Sequence, residues 1–443
     1  EYASIQKNLA IAYGALGEDR DKASNCRRAI EAYGEALKVY AGDSHSREYG
    51  EIQRNLGNVY WNLVEVKDKI ENYRKASGYY EESIKFYTLE DFPDDYGLVR
   101  KNLGIIYGIL AEEDKQIEDR KKAILAYEEA LKFYSLEGFP AEFGFIQKSL
   151  GSEYASLAEI EDKVHNNKKA IKSFEEALKV YSIEPPPLDY AVIHNNLGTA
   201  YRTISESENQ SENGKKAIKS YEEVLRVYNI GSFPMEYAAT QNNLGVAYRT
   251  LADSVDKAEN CKLAIKAYKE TLRVYTVDGF PVQYASIQNN LGAAFRTLAE
   301  VEDKAENCKR AVKAYEEALK VRSFERSPLQ YAATQNNIGV AYRALAEVED
   351  KARNSKKAIE AYERALIVYT IEKFPMQYAT TRNNLGAAYG TLAEIEKKSD
   401  NCKQAINSYK EALRVFTKES FPTVYELVQS NLKLLFDFCG EKK

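Results

Sequence analysis

A primary amide carries a donor and an acceptor side by side, so it can pair with both polar groups of a peptide unit and ignore the side chain. This chain repeats such an amide at one register: Asn8, Asn55, Asn102, Asn196, Asn243, Asn290, Asn337 and Asn384, continuing to Asn431, with Ser149 the exception. A basic series runs beside it. Lys7, Arg54, Lys101 and Lys148 precede the amide in the first four copies; Asn195, Asn242, Asn289, Asn336 and Asn383 take that position afterwards. Where those bases stop, Arg202, Arg249, Arg296 and Arg343 begin a few residues further on, replacing Gly14, Trp61, Gly108 and Ala155 of the early copies, and Gly390 ends the series. Amides suit the main chain of an extended polypeptide, and bases suit carboxylates or phosphates. Two readings of the amides stay open: a grip on ligand, or bonds between neighbouring helices. For the bases the alternative is an ordinary solvated face. Trp61, the single tryptophan, suits a contact anchor or a packing residue.

The elements that carry these residues follow from the period. Leu9, Leu56, Leu103, Leu150, Leu197, Leu244, Leu291, Ile338, Leu385 and Leu432 are separated by equal steps of 47 residues, without insertion or deletion. Within one unit, Tyr284, Ile287, Leu291, Ala294, Phe295, Leu298 and Val301 make the stripe of an amphipathic helix, here called helix A. Pro281 suits its first turn. Ala311, Val312, Tyr315, Ala318 and Leu319 mark a second, helix B, with Asn307 expected as its N-cap and an end near Tyr275 and its equivalents. With about 100° per residue and Leu291 at zero, Asn289 and Arg296 fall near 160° and 140°, opposite the apolar stripe, and Asn290 near −100° on its flank. One helix pair cannot bury both stripes, but stacked neighbours can. The mid-helix glycines, Gly57 through Gly386 at the same step, are expected to let helix B approach closely; Ala10 and Lys433 replace them at the ends.

The strings Asn243, Leu244, Gly245, Tyr248 on helix A and Ala264, Tyr268, Leu272 on helix B resemble the tetratricopeptide repeat family, across essentially the whole chain. The unit of 47 residues exceeds that family's usual ~34 and is similar to the long repeats of kinesin light chains. The resemblance implies an all-α fold: an α-solenoid coiled as a right-handed superhelix, nine repeats over residues 1–423, then a capping helix and short tail over 424–443. It also implies that helix A lines a concave groove. The amide register is similar to the asparagine ladder of the O-linked N-acetylglucosamine transferase superhelix, which holds the main chain of an extended peptide.

Other classes find little support. The formal net charge of −5, with signs interspersed, disfavours nucleic acid. No apolar run is long enough for a membrane helix. Cys26, Cys261, Cys308 and Cys402 share one register and Cys439 stands in an apolar stripe, so all five are expected as small apolar fillers in a reducing, cytoplasmic setting. Three histidines and no paired-cysteine motif point to no metal or other cofactor. Paired acids such as Glu316 and Glu317 read as solvation, and no nucleophile–base arrangement or polar cluster breaks the period, so catalysis is not expected. The expected function is a non-catalytic protein–protein interaction module that takes an extended, acidic segment. The alternative is a structural or sensor arm of a larger protein, or a self-assembling solenoid, with homo-oligomers open.

Overall fold

The computed structural model describes residues 1–19, 21–40, 47–65 and 68–440. Every regular element among them is an α-helix. The end of the expected tail, 441–443, lies outside the described residues.

Two compact units divide the chain, 1–209 and 210–443. In the first, A helices α1 (Tyr2–Asp19), α3 (Arg47–Leu63), α5 (Pro93–Glu113), α7 (Pro140–Ala158) and α9 (Leu188–Ser205) alternate with B helices α2 (Lys22–Tyr40), α4 (Lys69–Ile84), α6 (Ile117–Ala130) and α8 (Lys163–Tyr181). The second begins with the B helix α10 (Gln210–Val224). It continues with A helices α11 (Pro234–Leu251), α13 (Pro281–Leu298), α15 (Pro328–Ala346), α17 (Pro375–Ala393) and α19 (Pro422–Cys439). Its other B helices are α12 (Lys257–Thr271), α14 (Lys304–Leu319), α16 (Lys351–Leu366) and α18 (Lys398–Leu413). Within each unit every helix packs on the one before it and the one after it. This is the tandem helix-pair architecture of an α-solenoid, with A helices starting at proline in most copies.

The glycine register does what its position predicts. A β-carbon on Gly104, Gly245, Gly292 or Gly339 would come within 2.5–2.6 Å of the aromatic ring of helix B in the same copy: Tyr127, Tyr268, Tyr315 or Tyr362. The gain from alanine's helix propensity, about 1 kcal/mol, cannot offset that overlap.

Tyrosines tie the pairs into a stack. At the start of helix A the hydroxyls of Tyr237, Tyr284 and Tyr378 donate to Glu270, Glu317 and Glu411 at the end of their own helix B, at 2.9, 2.9 and 2.7 Å. Further along, Tyr201, Tyr248 and Tyr389 donate to Glu175, Glu222 and Glu363 of the preceding helix B, at 2.7, 3.1 and 2.7 Å. The paired acids of helix B are therefore not mere solvation. One holds the helix pair together and the other reaches the next copy.

Three further expectations change. Asn307 is not an N-cap. Helix B begins at Lys304, after Asp303 in the left-handed region at φ 40°. Asn307 is buried, and its amide donates back to the Glu302 carbonyl at 2.7 Å; Asn166, Asn260 and Asn401 do the same. The donor satisfies a carbonyl of the A–B turn, a group left without a partner when helix A ends. Helix B ends at the Tyr275 register in α2 (Tyr40) and α8 (Tyr181), but up to a turn earlier in the other copies, as in α12, which ends at Thr271. Finally, Cys402 and Cys439 form a disulfide, joining α18 to α19 with α-carbons 6.1 Å apart. The stripe of α19 brings Cys439 onto the cysteine register of α18, so these two are not fillers. Cys26, Cys261 and Cys308 are buried and outside any disulfide, as packing residues should be.

Candidate functional site

The amide and basic registers lie where consecutive A helices meet, and nearly all of these side chains are half-buried; only Asn8 is exposed. The two units use the face differently.

In the first unit the bases are partnered. Lys7 pairs with Glu51 at 2.7 Å, Arg54 with Asp95, and Lys148 with Asp189 at 2.6 Å, each acid lying on the next A helix. Lys101 stands over the Tyr134 ring at 5.3 Å. Arg202 has a loose contact with Glu206 one turn on, at 3.5 Å. The side chains of Lys7 and Arg54 are only 16 % and 23 % exposed. These bases join repeats, and their charge is largely compensated. The flank amide is also used internally. Asn102 donates to the Tyr80 hydroxyl at 3.4 Å, and that hydroxyl donates to Asn58 at 2.5 Å. Asn55 bonds Tyr33 in the same way, and Ser149, the one exception to the amide register, bonds Tyr127. Trp61 packs edge-on against Tyr73, with centroids 6.1 Å apart, and joins the surrounding apolar cluster. Asn196 and Asn195 are half-buried on α9.

In the second unit the same face is less saturated. The hydroxyls of Tyr268, Tyr315 and Tyr362, fully buried, have no hydrogen-bond partner, and neither do Asn242 Oδ1, Asn383 Oδ1 and Arg343 Nε. The cause is a change of neighbours. Where Tyr80 finds Asn58, these tyrosines face the registers of Val246, Ala293 and Val340. Asn337 turns its amide to Asn289 Oδ1 at 3.2 Å instead, and Asn336 accepts from Thr381 at 3.2 Å. Arg249, Arg296 and Arg343 lie beside the three phenols, placed to donate toward the phenol oxygens while offering the O–H groups no acceptor. Burial pushes Tyr268 and Tyr315 up to about 12, and the adjacent guanidinium works against that rise. Burial raises Tyr362 too, against Arg343. The ion-pair contact of Arg296 with Glu300 is long, at 3.7 Å, and its side chain is 35 % exposed. Between α15 and α17 a depression of about 270 Å³ is lined by Asn336, Asn337, Thr380, Thr381 and Met376 among others. Asn243, Asn290 and Asn384 stand half-buried on this face.

Two features escaped the sequence reading. Arg120 and Glu153 form a buried ion pair at 2.6 Å, and Arg74 holds the buried Asp119 at 2.7 Å. Burial raises the Glu153 carboxyl while Arg120 opposes the rise. A polar cluster therefore does break the period. Asp119, at the Asn307 register, is an ion-pair member. The signal was available: charged residues occupy registers that are cysteine or alanine elsewhere. The second feature is a pair of depressions on the B-helix side, one period apart, bordered by Lys266, Phe295 and Glu306, and by Lys313, Tyr342 and Arg353. In them Arg310 and Lys357 lie over the rings of Phe295 and Tyr342 at 5.9 and 4.9 Å.

Among the described residues, no three or more His, Cys, Asp or Glu side chains are grouped to hold a metal ion, and no helix is long and apolar enough to cross a membrane.

Family models described as tetratricopeptide repeat match residues 15–85 and 332–366. No curated protein matches. Among solved structures, the chain is similar to the C-terminal part of a TPR repeat-containing protein from Cytophaga hutchinsonii, with 16% identity, TM-score 0.40, and coverage of 70% of this chain and 95% of that one. It is similar to a signal-transduction ATPase with a tetratricopeptide repeat sensor from Pyrococcus horikoshii, with 16% identity, TM-score 0.47, and coverage of 97% and 65%. It is also similar to the apo form of RapI, with 12% identity, TM-score 0.43, and coverage of 94% and 98%.

Proposed function

We propose that this chain of tetratricopeptide-type repeats is a protein-interaction scaffold, and that the A-helix face of residues 234–393 takes an extended, acidic segment of a partner polypeptide. The observation that carries this reading is the set of polar atoms left without partners there, beside half-buried Arg249, Arg296 and Arg343. Unpaired buried polar groups cost free energy, and a ligand that pairs them recovers it. Amides serve the ligand main chain, and Arg249, Arg296 and Arg343 serve its carboxylates. The first unit's face, with its bases already paired, contributes less.

The test is binding of fluorescent acidic and neutral peptides to the full chain with Asn290 and Asn337 changed to Ala, and separately with Arg249 and Arg296 changed to Gln. Weakened binding of the acidic peptide in both variants is expected. Unchanged affinity in both removes this face from recognition.

A further inference from the structure

Three consecutive repeats of the second unit each carry a phenol–guanidinium cluster. The phenol of Tyr268, Tyr315 or Tyr362 has an O–H with no acceptor, and the guanidinium of Arg249, Arg296 or Arg343 stands beside it. The guanidinium can donate to the phenol oxygen but offers no acceptor in return, so the phenolic O–H stays unmet. What such a pair lacks is an acceptor, and a carboxylate is the acceptor that meets both a hydroxyl and a guanidinium. The phenol is the inner donor and the half-exposed arginine the outer one, so a carboxylate that draws the guanidinium aside reaches both. The first unit shows the filled counterpart, in which Tyr80 donates to the side-chain oxygen of Asn58. The second unit has valine or alanine at that register, so its acceptor must come from outside.

The clusters recur every 47 residues, on A helices that touch through Asn337 and Asn289. Packed helices lie roughly 8–10 Å apart. An extended chain rises about 3.3 Å per residue, so one repeat matches about three ligand residues. Gly390 ends the arginine series, leaving three clusters.

We propose, resting on the reading above that this face binds an extended polypeptide, that α11–α16 select ligands with an acidic side chain at every third position, three in succession. Each carboxylate is held by one Arg–Tyr cluster.

The experiment uses the full chain and three labelled peptides of equal composition: glutamates at every third position, glutamates contiguous, and no order. Expected is about tenfold tighter binding of the phased peptide. A second measurement guards against misfolding. Tyr315→Phe removes an unpartnered hydroxyl, so the urea midpoint of the free protein should hold or rise, while phased-peptide affinity falls several-fold. Equal affinity for all three peptides, with no effect of Tyr315→Phe, overturns the spacing proposal while leaving general acidic binding in place. Loss of all binding, with Asn290 and Asn337 variants silent, overturns the underlying reading instead.

Discussion

Residues 120 and 308 occupy the same register of helix B, four periods apart, and solve the same packing problem in different ways. In the first unit Arg120 reaches Glu153 on the following A helix. In the second, Cys308 packs with Ala299 and Leu345, and Ala341 takes the Glu153 register, all buried. The Tyr80 and Tyr315 register differs in the same manner: one hydroxyl is satisfied internally and the other is not. At these registers the first unit meets its polar groups internally, whereas the second leaves the O–H of Tyr268, Tyr315 and Tyr362 without an acceptor. Identical backbones thus support either structural or recognition chemistry, and the choice rests on two or three side chains per copy.

The largest effect should come from breaking the ion pair. Arg120→Ala leaves the Glu153 carboxylate buried alone and should cost ~3–5 kcal/mol in urea unfolding. Importing the second unit's solution, Arg120→Cys with Glu153→Ala, should restore most of it. If the double variant is as unstable as the single one, the two registers are not interchangeable.

Alkaline titration should sharpen the contrast next. The phenols of Tyr268, Tyr315 and Tyr409 are held up to about 12, against about 10 in the unfolded chain. A raised folded value favours the protonated form. The contribution is therefore complete below pH 10 and is lost as pH rises through 12. Stability of the second unit should fall over that window. Changing all three to Phe should flatten the fall, measured by urea midpoints at stepped pH; an unaltered slope would show that other groups cause it.

A smaller effect is expected from transplanting an acceptor. Ala293→Asn recreates the Asn58 arrangement beside Tyr315 and should stabilise by ~0.5–1.5 kcal/mol, while Asn58→Ala should lose a similar amount. No change in either would mean that solvent already serves both hydroxyls.

The smallest concerns the exposed ties between copies. Lys163 pairs with Glu206 at 2.7 Å in the first unit, and Lys257 with Glu300 at 2.8 Å in the second. Lys163→Ala and Lys257→Ala should each cost less than ~1 kcal/mol, and less still in high salt. A larger or salt-insensitive loss at either site would single out that unit.

Much of the architecture was legible in the residues. The equal step of Leu9 through Leu432 implied paired helices, the glycines implied close approach, and Pro281 and its equivalents marked where helix A begins. The candidate face was legible only as a register. The periodicity of Asn289, Asn290 and Arg296 placed them away from the apolar stripe, because angular position around a helix depends on spacing alone. It could not say which neighbour each side chain meets.

That second step belonged to the tertiary structure. Asn102 bonds a phenol whereas Asn337 bonds another amide, although both occupy one register. Asn307 closes a turn behind it, and Cys439 meets Cys402, because each partner is set by docking, from a carbonyl five residues back to side chains 22 to 48 residues away. A hydrogen bond is short-ranged and directional, so its partner is decided only when the helices have docked. Period and face were properties of the chain; pairing, and its absence at the hydroxyls of Tyr268, Tyr315 and Tyr362, were properties of the fold.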